Sequence, residues 1–144
     1  MRQGEARARE LAIVASSKLE DLLNRIFNKL SDTNKQLFEV QLQIKELQAG
    51  NKFIYLLELH GCGKECAGCP HAKWTKYTWV STKQGERKLI HENIDPTKMD
   101  PAQLMPKSSK NYGELIKNVR IAKKLIKDKT TILTRLRPFW QLSK

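Results

Sequence analysis

Twelve residues in the middle of the chain, His60-Gly-Cys-Gly-Lys-Glu-Cys-Ala-Gly-Cys-Pro-His71, constrain the fold more than any other stretch. They hold all three cysteines (Cys62, Cys66, Cys69) and two of the three histidines of a 144-residue sequence. Sulfur and imidazole donors this dense fit a single ion, because a tetrahedral zinc site takes four such ligands. Cys62, Cys66, Cys69 and His71 make the preferred set. His60 is the alternate fourth ligand, and His91 a further one if a later strand folds back alongside. Gly61, Gly63 and Gly68 let the backbone turn sharply around an ion.

The same residues fit other chemistries less well. Three cysteines cannot all pair as disulfides, and no signal-like start points to an oxidising compartment. Cys66-Ala-Gly-Cys69 has the spacing of a thiol redox pair, but such pairs open a helix after a buried strand, a context absent here. Haem attachment needs a histidine directly after the second cysteine, where Pro70 stands. A zinc deaminase needs an upstream His-x-Glu, which is missing. The expectation is structural Zn2+, closed by three thiolates and an imidazole, with no open position for a catalytic water. With no phosphate loop, paired acids or nucleophile elbow elsewhere, the chain does not read as an enzyme.

Around this cluster the chain divides by pattern. Residues 1–9 read as a basic, flexible start, and 10–48, free of Pro and Gly, as a long helix. Its Leu23, Ile26, Leu30, Thr33, Leu37, Val40, Ile44 and Leu47 follow a heptad seam with one polar break at Thr33. Gly50 is the natural left-handed cap. Residues 53–92 read as a zinc-binding β-hairpin module, with strands over 53–59, 76–82 and 87–92. A Pro-rich connector (93–111) contains Asp100-Pro101, which caps one helical turn. A second helix spans 112–137, its seam of Tyr112, Leu115, Val119, Ala122, Ile126, Leu133 and Leu136 interrupted by Lys129. Pro138 ends it, leaving a hydrophobic tail at 138–144. The predicted fold is mainly α, two long antiparallel coiled-coil helices flanking a small zinc-stapled antiparallel β-hairpin or sheet. The first helix is the longer, so part of its seam is left for a second copy (a homodimer) or for a partner.

Charge then narrows the partner. Lys and Arg number 27 against 15 acids, a net charge of +12. From residue 112 onward Lys117, Arg120, Lys123, Lys124, Lys127, Lys129, Arg135, Arg137 and Lys144 face only Glu114 and Asp128, which places +7 of that excess on the second helix and its tail. Such one-signed charge beside a metal knuckle suits a polyanion. Lys117, Arg120, Lys123, Lys124 and Lys127 are the expected phosphate contacts. Lys64, Lys73, Lys76 and Trp74, with Tyr77, would enter a groove or stack on an unpaired base. No apolar run reaches the roughly 20 residues of a membrane span, so membrane contact is not expected and the reading is cytoplasmic. The expected function is non-catalytic binding of DNA or RNA. The alternative is a coiled-coil adaptor or inhibitor that grips a protein or nucleoprotein partner.

Cys62-Gly63-Lys64 opening a cysteine cluster, a His-containing segment leading to an aromatic strand, and a Gly turn before a basic strand resemble a known family. It comprises short uncharacterised bacterial and archaeal domains, whose typical text reads C-G-K-x-x-C-x-C followed by H-G-P-Y-x-Y. The resemblance covers roughly residues 19–137, and its distinctive part is the cluster. It implies a zinc-binding hairpin between two helices and an association with mobile genetic elements, with no established activity.

Overall fold

The computed structural model describes residues 2–63 and 66–142. Helix α1 (Gln3–Glu46) leads into strands β1 (Phe53–His60), β2 (His71–Ser81) and β3 (Arg87–Ile94), a short helix α2 (Pro101–Leu104) and helix α3 (Tyr112–Leu142). The strands form one antiparallel sheet in the order β1-β2-β3.

This α+β arrangement overturns the expected fold class of two antiparallel coiled-coil helices around a small hairpin. The sheet is larger than a hairpin: the 11-residue β2 pairs with β1 over His71–Thr78 and with β3 over Trp74–Ser81. Residues 71–75 fell outside the expected strands, yet they are already strand. Ala72 and Trp74 alternate with polar neighbours and meet Leu59 and Leu57 across the ladder. A sheet with one apolar face must be covered, and that need redirects the helices. Leu37, Val40 and Ile44 of the α1 seam join Tyr55, Leu57 and Trp74 of the sheet and Leu115, Val119 and Ala122 of α3 in a single core. The seam therefore divides between β1 and α3 rather than zipping onto one helix. Each fully buried Leu or Ile in it contributes about 1.5–3 kcal/mol.

Helix boundaries also move. Helix α1 begins at Gln3, inside the expected flexible start, and residues 7–22 are exposed along their whole length. Helix α3 runs through Pro138 to Leu142 instead of stopping. The proline lacks the N–H that would bond the Thr134 carbonyl, so the helix loses one ladder hydrogen bond in its last two turns and continues.

Two polar contacts fix how the elements meet. Strand β1 is an edge, and Gln48, 0% exposed just after α1, completes it. The Tyr55 N–H donates to Gln48 Oε1 at 2.9 Å, while Gln48 Nε2 donates to Tyr55 O at 2.6 Å and to Ile44 O at 3.0 Å. One side-chain amide thus takes the place of a neighbouring strand. At the other end, Asp100 accepts from the Ala102 N–H at 3.0 Å as N-cap of α2 and from Lys123 Nζ of α3 at 2.8 Å. The lysine, then the Ala102 N–H, hold its carboxyl below the usual range.

Replacing Gln48 by Leu should destabilise the protein by about 2–4 kcal/mol in urea unfolding, because it orphans a buried N–H and C=O together. Asp100→Ala should cost about 1 kcal/mol, chiefly through the lost cap, since the half-exposed ion pair is screened. A depressed carboxyl stabilises above its unfolded pKa and loses that contribution as pH falls through its folded one. The gap between Asp100→Ala and the parent should therefore close in acid.

Candidate metal centre

Strand β1 ends at His60 and β2 begins at His71, and these two residues are ladder partners. The chain between them must return on itself, carrying all three cysteines into the turn. Cys62, Cys66, Cys69 and His71 place one donor atom each within 4.8 Å of all the others and could hold a metal ion. Cys62 Sγ lies 3.5 Å from Cys69 Sγ, and Cys66 Sγ lies 3.6 Å from His71 Nε2. A tetrahedral zinc ion with bonds of about 2.3 Å to sulfur and 2.0–2.1 Å to nitrogen spaces its donors by about 3.6–3.8 Å. The two shorter edges already match, and the widest pair needs to close by about 1 Å.

Backbone geometry explains why this sequence makes such a turn. The Gly68 N–H donates to Cys66 Sγ at 3.3 Å, and the Cys69 N–H donates to Cys66 O at 3.3 Å, which wraps the chain around the Cys66 sulfur. Gly63 sits at φ +75°, in the left-handed region. Gly68 is needed for its lack of a side chain: a Cβ there would stand 3.2 Å from His71 Cε1 and 3.5 Å from Cys66 Sγ.

The sulfurs crowd one another electrostatically. A Cys62 backbone hydrogen bond pulls the Cys69 thiol down, but the Cys62 side chain, burial and the charges of Cys62 and Cys66 together push it above the ordinary range. A cation approaches from α3. Lys129, expected only as a break in a seam, is 6% exposed, and its Nζ donates to Pro70 O at 2.6 Å. Burial lowers its pKa, and the Cys69 and Cys66 sulfurs pull it back up. It borders a cavity of about 230 Å³ with Leu37, Pro70, His71, Ile126 and Leu133, where the loop, α1 and α3 meet. Three thiolates around a divalent ion would carry one net negative charge, which this ammonium would offset. The available signal was a lysine standing between Ile126 and Leu133 on an apolar stripe.

The remaining candidates scatter. His60 is exposed opposite His71, ring centroids 6.1 Å apart, and outside the four-donor group. His91 faces Tyr77 from β3, also outside it. Lys64 lies outside the described residues. Lys73 is exposed 3.9 Å from Glu58, and Lys76 is half-buried with its Nζ 4.9 Å from the Phe53 ring centroid. Trp74 corrects the expectation of a stacking residue: it is 3% exposed, because it points to the core face of β2 against Leu57. On α3, Lys117, Arg120, Lys124 and Lys127 are exposed at steps of three, four and three, which puts them on one face. Lys123 is instead turned to Asp100. Sequence reading passed over Trp79, 48% exposed on the outer sheet face with Arg87 above its ring.

The chain matches no family model, no curated protein and no solved structure. Among the described residues no helix is long and apolar enough to cross a membrane.

Lys129→Met should weaken metal binding about 10- to 100-fold in competition with a chromophoric chelator, as loss of an outer-sphere partner does, and Lys129→Arg should recover most of it. Gly68→Ala should weaken it too, by displacing His71. Because thiols must shed protons to bind, affinity should fall as pH drops from about 8 to 6, with proton release visible in buffer-dependent calorimetry.

Proposed function

We propose that this chain is a zinc-containing protein that binds nucleic acid without catalysing a reaction. Zn2+ would staple the β1–β2 loop, and α3 would contact phosphates. One observation carries the reading. Lys117, Arg120, Lys124 and Lys127 line one exposed face of α3, and none is in an ion pair among the described residues. Ten residues of helix span about 15 Å, enough to follow several phosphates along a backbone. A lysine-rich helix is often only a solvated face, but this one belongs to a chain of net charge +12. Zinc is favoured over other ions by a soft donor set of three thiolates and one imidazole. Four protein ligands leave no position for substrate, which argues against catalysis. The polymer would be the nucleic acid of a mobile element or of its host, as the resemblance of the cysteine cluster implies.

A second reading, an adaptor for a protein or nucleoprotein or a dimer through α1, is favoured by the uncovered half of that helix. There Leu11, Leu19, Leu22 and Phe27 are each at least half exposed.

Changing Lys117, Arg120, Lys124 and Lys127 together to Ala should weaken binding uniformly across sequences. It should also flatten the slope of log K against log salt by about 3–4, near 0.9 per lost phosphate contact. Binding with an unchanged slope would remove α3 as the contact. A one-to-one protein complex that survives nuclease and depends on Leu19 and Leu22 would favour the adaptor.

A further inference from the structure

Strand β2 alternates between two environments. Trp74 points into the core, so Tyr77 and Trp79 point to the opposite, outer face of the sheet. The ladder sets Ile54 and His91 beside Tyr77, and Leu89 beside Trp79. The Tyr77 and His91 rings are 6.2 Å apart, and the Arg87 guanidinium lies 5.2 Å from the Trp79 ring centroid. Between Ile54, Leu56, Tyr77, Trp79 and Leu89 opens an almost wholly apolar cavity of about 240 Å³, with Asn51 and Lys52 at its rim. Among the described residues, none of those lining it belongs to a helix.

Charge says what would. Lys52 borders the cavity, Lys45 flanks Trp79 from the end of α1, and Arg87 overlies Trp79. None of the three is in an ion pair among the described residues. Of the nearby acids, Glu58 is engaged by Lys73 and the Tyr77 hydroxyl, which leaves Glu46 and Glu86, the latter beside Arg87 in the β2–β3 turn, against three cations. A second copy of the chain would bring these cations against themselves, since a two-fold contact pairs like patches. The cavity is smaller than the roughly 300 Å³ of ordinary small-molecule pockets and admits one planar ring. Alternate side chains on a strand stand about 7 Å apart, twice the roughly 3.4 Å rise per nucleotide, so Trp79 and Tyr77 can each take a splayed base. A duplex keeps its base faces stacked and unavailable to such rings.

We propose that the outer sheet face binds single-stranded nucleic acid. Trp79 and Tyr77 stack on unpaired bases while Lys45, Lys52 and Arg87 hold the adjoining phosphates. This site is separate from the α3 stripe; it deepens the nucleic-acid reading and rests on it.

The test is fluorescence anisotropy with labelled single-stranded DNA, single-stranded RNA and matched duplex at two salt concentrations. It compares the parent chain with Trp79→Leu and Trp79→Phe, each checked for parental circular dichroism and melting. The parent should prefer single strands. Trp79→Leu should lose about 5- to 100-fold of that affinity, the range of one base–aromatic stack, with duplex binding and the salt slope unchanged. Trp79→Phe should stay within about threefold of the parent, because it keeps a ring. Single-strand affinity unchanged in Trp79→Leu, or lost equally for duplex, would overturn this site while leaving the α3 reading intact. A parent that binds no nucleic acid would overturn both. Self-association abolished by Trp79→Leu would show the face to be a homodimer contact and overturn the proposal.

Discussion

Three cysteine sulfurs and an imidazole nitrogen lie within 4.8 Å of one another, and thiolates held that close repel unless a cation sits among them. That constraint organises the molecule. The cluster closes the turn between β1 and β2, so an ion held there would also fix where the two strands begin to pair. Through Pro70 and Lys129 the same turn is tied to α3, 59 positions further along the chain. A three-stranded sheet is marginal by itself, and metal binding free energy of this kind is folding free energy. A cavity of about 230 Å³ lies beside Lys129 at that junction.

From that staple outward the surfaces divide. The inner sheet face, the second half of α1 and the first half of α3 spend their apolar side chains on one core. What remains outside is chemically uneven: a basic stripe on α3, an aromatic face with cations on the sheet, and an uncovered α1 half with exposed leucines. A core that closes without these groups leaves them available for partners, and two of the three surfaces carry positive charge that is in no ion pair among the described residues.

The four residues read as a ligand set come together because they are neighbours in sequence; twelve residues with three glycines need only turn once. Strands β1 and β3 were legible to within two residues, β1 from its short apolar, β-prone run and β3 from the turn before it, where Gly85 takes φ +81°. The fold class was not. A heptad spacing reports that one face of a helix is buried and cannot report by what, so Leu37 and Ile44 looked the same whether they met a helix or a sheet. Alternation likewise separates Trp74 from Trp79 without saying which side is covered. That choice depends on where α1 and α3 land. Lys129 was visible as an anomaly, but its partner Pro70 lies in a distant loop, and only the assembled fold joins them.

The most direct measurement is native mass spectrometry of the purified protein combined with alkylation of its cysteines before and after a chelator. The account predicts one zinc per chain, with Cys62, Cys66 and Cys69 slow to alkylate until the chelator strips the ion, and a lower melting temperature afterwards. A metal-free protein whose three cysteines alkylate equally fast with and without chelator would contradict it.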